Sequence, residues 1–187
     1  MDVARARPHI DEFQDTNSTG GATGSRIPLM RRSQLKHLLV RAEEETRRGL
    51  IDYAVASYQE VLAIAREGEF ECELAHLRLG DLHLSQGECA RALRHLRCAQ
   101  TLTEDEPEYA LLIGRALIAL RRPQDAAEQL FDAIRSPRFA AEALAELAVA
   151  ANLAGDRKTA GYLARKATAL DCTNTRFLAL AREFADA

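Results

Sequence analysis

His76 and His83 stand seven residues apart in HLRLGDLH, and His95 and Cys98 stand three apart in HLRC. Imidazole nitrogen and thiolate sulfur are favoured zinc ligands, and a spacing of three sets two side chains on one helical face. The first pair is two turns apart, about 10.5 Å of rise, which is too far for one ion with bonds near 2 Å. The second pair lacks two further ligands evident in the sequence. We therefore expect no metal and no cofactor, with His76 and His83 read as core histidines.

Other chemistry is equally thin. The chain contains no G-x-x-x-x-G-K-[ST], H-E-x-x-H or G-x-S-x-G, so no catalytic residue is assigned and no enzymatic activity is expected. Arg91, Arg94 and Arg97 form a stripe at spacing three. A nucleic-acid site needs such a stripe extended over neighbouring elements and backed by aromatic platforms. With no Trp, four Tyr, six Phe and a net charge of −3, the stripe reads as a solvated outer face, and no nucleic-acid partner is expected. The run EDEPE at 104–108 reads as a polar loop, with Glu108 near a helix start where the dipole favours negative charge.

The cysteines are Cys72, Cys89, Cys98 and Cys172. Nine residues of helix between Cys89 and Cys98 are about 13.5 Å, beyond disulfide reach. The apolar runs are short and interrupted by Arg and Glu, and MDVARARPHIDEF has no apolar signal-peptide core. These features lead us to expect reduced thiols, no membrane insertion and a cytoplasmic protein whose partners are other proteins.

The elements that position these residues follow from periodicity. Residues 1–33 are expected to be a flexible tail: DTNSTGGATGS at 15–25 cannot bury enough apolar surface to order itself, and RIPLMRRS at 26–33 reads as the lead-in to the first helix in preference to a short linear binding motif. From Ser33 onward apolar residues recur at spacings of three and four. Breaks fall at Gly49, Gly68, Gly87, Pro107, Pro123, Pro137 and Gly155. No stretch alternates as a strand does, so the fold class is all-α, built from short antiparallel helical hairpins.

The hairpins repeat. Ala54, Ala92, Ala126 and Ala160 are separated by 38, 34 and 34 residues, and each follows by five positions a turn residue: Gly49, Gly87, Arg121, Gly155. Four positions on come Tyr58, Leu96, Leu130 and Ala164, and three further Val61, Ala99, Ala133 and Ala167. Helices approach closely only where one offers Ala or Gly, and a larger neighbour fills the adjoining space. Such a hairpin buries its second apolar side only by stacking on another, which makes a solenoid.

LGDLHLSQGECARALRHLRCA, IGRALIALRRPQDAAEQLFDAI (113–134) and LAVAANLAGDRKTAGYLARKATALDCTN (147–174) resemble the tetratricopeptide repeat, W-x2-L-G-x2-Y, A-x3-F, P over 34 residues. The first repeat departs further, with Arg41-Ala42 in the Leu-Gly slots and Glu45 in the aromatic one; the Trp slots hold Leu38, His76, Ala110 and Leu144. The resemblance implies a right-handed α-solenoid of about four repeats over 34–173. Residues 174–187, with Phe177, Leu180, Ala181 and Phe184 on one face, are expected to cap it.

In this family the first helix of each repeat lines the concave surface, and residues off the packing motif there contact a peptide. The resemblance assigns that role to Leu39, Leu77, Arg78, Asp81, Leu84, Leu111, Leu112, Arg115, Ile118, Glu146, Val149 and Asn152. The subclass that grips acidic chaperone tails uses a Lys and an Asn where this chain has Leu39 and Glu43, which argues against that ligand. The apolar character instead resembles adaptors and secretion or assembly chaperones that hold a hydrophobic or amphipathic segment, with Leu77, Leu111 and Leu112 as anchors and Arg78 and Arg115 selecting acidic neighbours. Two alternatives stand beside it. The leucines pack against the next repeat and leave no groove, or the apolar surface makes a homo-oligomer.

Overall fold

The computed structural model describes residues 26–102 and 106–185. Helices α1 (Arg26–Arg47) and α2 (Ile51–Ile64) form the first hairpin, followed by α3 (Phe70–Ser85) with α4 (Cys89–Leu102), α5 (Pro107–Ala119) with α6 (Pro123–Ile134), and α7 (Ala140–Leu153) with α8 (Arg157–Leu170). Each hairpin packs on the next, and α9 (Thr175–Glu183) closes against α7 and α8. Among the described residues there is no strand, and no helix is long and apolar enough to cross a membrane.

The four hairpin turns are one structure used repeatedly. Gly49, Gly87, Arg121 and Gly155 all adopt left-handed backbone, with φ of 72°, 76°, 60° and 87°. In each turn that residue's N–H donates three positions back and the next N–H donates five back: Leu50 to Glu45, Glu88 to His83, Arg122 to Leu117 and Asp156 to Ala151. This pair of bonds satisfies the last carbonyls of the first helix and reverses the chain. Arg121 does so without glycine's conformational freedom.

Ala54, Ala92, Ala126 and Ala160 are fully buried, as are Val61, Ala99, Ala133 and Ala167. Between them Tyr58, Leu96, Leu130 and Ala164 fill the interior. Leu96 lies over Gly80 and Leu130 over Gly114 so closely that a Cβ on either glycine would meet the leucine at 2.5 Å. Asp156 caps α8 by accepting from the Thr159 N–H, and Asn174 caps α9 by accepting from Arg176 and Phe177. Phe177 and Phe184 then seal the last hairpin, with Leu180 and Ala181 half-buried beside them.

One expected boundary is corrected. Residues 26–33, assigned to the tail, are the first turns of α1, because Leu35, Leu38 and Leu39 anchor its later turns in the core and nothing in RIPLMRRS breaks the helix beyond its early proline. Residues 1–25 lie outside the described region, as do 186 and 187 of the expected cap.

Candidate functional site

The repeat places one residue of every first helix at each level of the inner face. Leu39, Leu77, Leu111 and Ala145 form one level; Val40, Arg78, Leu112 and Glu146 the next; Glu43, Asp81, Arg115 and Val149 a third; Thr46, Leu84, Ile118 and Asn152 a fourth. Leu39, Leu77, Leu111 and Leu112 are buried, none more than 9% exposed, and the last three belong to one core cluster with Leu96, Ile113 and Leu130. These leucines hold repeat to repeat, and little of Leu77, Leu111 or Leu112 is left exposed for the anchoring role expected of them. Their side chains are already covered by the neighbouring hairpin. Leu84, Ile118, Val149 and Asn152 are half-buried, and Asp81 is exposed.

The polar members divide into two kinds. Arg115 on α5 donates through Nε to Glu146 at 2.7 Å and through its terminal nitrogen to Glu142 at 2.6 Å, both on α7. Arg176 on α9 adds a third bond, to Glu146 at 2.9 Å. Glu146 is 4% exposed, a carboxylate taken out of water and compensated by two guanidinium groups. Burial opposes the charge on Arg115, but the two carboxylates outweigh it and push the guanidinium further up. Arg115 and Glu146 are thus a clasp between α5, α7 and α9, not groups waiting for a ligand.

Arg78 differs. It is half-buried, forms no ion pair with a described residue, and lines a cleft of about 200 Å³ with Asp81, Glu108, Leu111, Leu112, Arg115, Phe139 and Glu142. Five of the assigned residues therefore meet: Arg78, Asp81, Leu111, Leu112 and Arg115. Glu108, Phe139 and Glu142 complete the cleft and were not assigned from sequence. Glu108 and Glu142 share one register position of α5 and α7, the only signal that would have found them.

The histidines are also drawn together. His95, from α4, sits between His76 and His83 on α3: its Nδ1 is 3.0 Å from that of His76, and its ring stacks on His83 at 5.5 Å between centroids. The Glu88 carboxylate lies 2.8 Å from His83 Nδ1. Burial, then the charges of His76, His83 and Arg94, push His95 down to about 4. Among the described residues, no three His, Cys, Asp or Glu side chains are grouped to hold a metal ion, and all four cysteines are free thiols.

No protein-family profile matches the chain. No curated protein matches it either. Solved structures do. A MamA fragment, residues 41 to the end, from Desulfovibrio magneticus RS-1 is 15% identical with a TM-score of 0.69, covering 81% of this chain and 89% of that one. YrrB, described as a TPR protein with an unusual peptide-binding site, is 16% identical with a TM-score of 0.70, covering 81% and 76%. TTC0263, a TPR protein of Thermus thermophilus, is 21% identical with a TM-score of 0.64, covering 80% of each chain. At these identities what is shared is the fold.

Proposed function

On the premise that this chain has the tetratricopeptide-repeat fold, shared with YrrB and TTC0263, we propose that it is a non-enzymatic scaffold that binds a segment of a partner protein on its concave face. The observation that carries the reading is the cleft around Arg78: a guanidinium that forms no ion pair with a described residue, in a cleft lined also by Leu112, Phe139, Asp81 and Glu108. Similar structures include a protein described as having a peptide-binding site, which supports a peptide as the ligand class.

The cleft favours an amphipathic segment over a purely hydrophobic one. Its leucines show only their edges, and its accessible rim is charged, so an acidic side chain meeting Arg78 would fix register while apolar contact with Phe139 supplies affinity. A chaperone for hydrophobic segments would need the apolar levels open. Their burial weighs towards an adaptor.

The test is capture of partners from source lysate on the immobilised full chain, identified by mass spectrometry. Arg78→Glu should lose the specific partner, while Arg91→Glu on α4 retains it and both keep the wild-type circular dichroism. Equal capture by both variants would place the docking surface elsewhere.

A further inference from the structure

A second groove, apolar over nearly all of its surface although Gln124 and Thr159 also line it, runs between the second helices of the last two hairpins. Phe131 and Ala127 of α6, Leu147 and Ala151 of α7, and Leu163 of α8 line a space of about 260 Å³. That is below the roughly 300–1,000 Å³ of small-molecule pockets and suits side chains of a protein segment. Phe131 is 63% exposed.

The repeat supplies an internal control. Thirty-four residues earlier the same groove, between α4 and α6, is lined by Arg97, Ile113, Leu117, Asp125 and Gln129. One repeat on, Ile113 and Leu117 become Leu147 and Ala151, which keeps the floor apolar. The walls change character: Arg97 becomes Phe131, Asp125 becomes Thr159 and Gln129 becomes Leu163. The fold does not require apolar walls, since the preceding repeat is built without them. An exposed phenylalanine over a bare apolar floor is a surface made for contact.

Helix α8, which forms one wall, carries Arg157, Lys158, Arg165 and Lys166 and no acidic residue. All four cations are exposed and none is paired with a carboxylate of a described residue, in a chain whose net charge is −3. The complementary ligand is a short segment with bulky apolar residues set among acids. The chain contains one outside its described region: Ile10-Asp11-Glu12-Phe13-Gln14-Asp15.

Its own groove is reached only by a taut tail. In register Leu147 stands level with Arg41, so the start of α1 at Arg26 is about 22 Å away along the helix direction. Three hairpin steps of about 8–10 Å add a sideways offset, for a straight path of about 33–37 Å through the protein and more around it. The thirteen residue steps from Phe13 to Arg26 span at most about 43–47 Å when fully extended, so a segment seated in its own groove would hold the whole tail taut, a constraint that a second copy's segment does not carry. We propose that the α6–α8 groove takes the Ile10–Asp15 segment of a second copy of this chain, Phe13 seating beside Phe131 and Leu163 and the acids facing the α8 cations. The contact is head-to-tail, so each copy offers one segment and one groove.

Light scattering on the full-length protein, run through a dilution series, reads the proposal directly. The mass should exceed that of a monomer, fall on dilution and fall with added salt. Phe13→Asp and Phe131→Asp should each be monomeric with unchanged circular dichroism, and Arg97→Asp in the preceding groove should associate like wild type. Mixing the two monomeric variants should restore a one-to-one complex, because Phe13→Asp keeps its groove and Phe131→Asp keeps its segment. A synthetic peptide of residues 8–17 should bind Phe13→Asp at least about tenfold more tightly than it binds Phe131→Asp. A wild-type monomer at every concentration overturns the second-copy assignment. Equal peptide affinity for the two variants overturns the groove. A monomer that takes the free peptide only after Phe13→Asp would put the segment in its own chain's groove and also defeat the proposal.

Discussion

Leu96 of α4 occupies the space above Gly80 of α3, where an added methyl group would meet its Cδ2 and Cγ atoms at 2.5 Å. Gly114 and Leu130 repeat the relationship 34 residues on, again at 2.5 Å. The glycines are there because the facing leucines fill the room a side chain would need.

Gly80→Ala is therefore expected to destabilise the protein by about 1–3 kcal/mol, through overpacking that outweighs alanine's better helix propensity. Denaturant unfolding measures it. Combining Gly80→Ala with Leu96→Ala should recover part of the loss, as a coupled pair in a double-mutant cycle. Strictly additive losses would mean that the two residues do not share this space.

Arg121 holds a left-handed turn, φ 60°, that glycine holds in the other three hairpins. Arg121→Gly is expected to stabilise by about 1 kcal/mol, the strain released exceeding the flexibility gained by the unfolded chain. A rise in melting temperature checks it, and a fall would show that the Arg121 side chain contributes more than its backbone strain costs.

The carboxylate of Glu146 is the hub joining α5, α7 and α9. Glu146→Ala leaves Arg115 with only Glu142 and should cost about 2–3 kcal/mol, the scale of lost hydrogen bonds to charged groups. Arg176→Ala, which removes a half-exposed partner, should cost under about 1 kcal/mol. Unfolding midpoints in urea separate the two.

His95 is held at about 4, below its ordinary 6.5, so the unfolded chain binds more protons than the folded one between those values. Stability should fall as pH drops from about 6.5 towards 4, and be insensitive to this group at neutral pH and above. His95→Gln should flatten that part of the pH–melting-temperature curve. An unchanged slope would show that His95 does not carry it.

The family fold was legible because it is written in local terms. The spacing of Ala54, Ala92, Ala126 and Ala160, with a turn residue five positions before each, states helix, turn and helix without reference to distant parts of the chain. The terminal helix was legible for the same reason, as the stripe from Phe177 to Phe184 shows only one apolar side.

The candidate site was legible only as a set of register positions. Periodicity says that Leu77, Arg78, Leu111, Leu112, Arg115 and Glu146 share the inner side of the solenoid, but whether such a leucine faces the next helix or open space depends on how closely the hairpins stack. Here they stack closely enough to bury Leu111 and Leu112. Nor does spacing reveal that Arg115 finds Glu142 and Glu146 twenty-seven and thirty-one residues away, while Arg78 on the same inner face forms no ion pair with a described residue.

The same division explains the histidines. Seven residues separate His76 from His83, which along one helix keeps them apart, and nothing local says that His95 of the returning helix enters between them. Sequence by itself determined the helices, their turns and the repeat, because short-range sterics and a 3.6-residue period act within one hairpin. Tertiary structure decided which side chains remain accessible and which charges are paired, because burial and ion pairing depend on distances between hairpins that no single repeat contains.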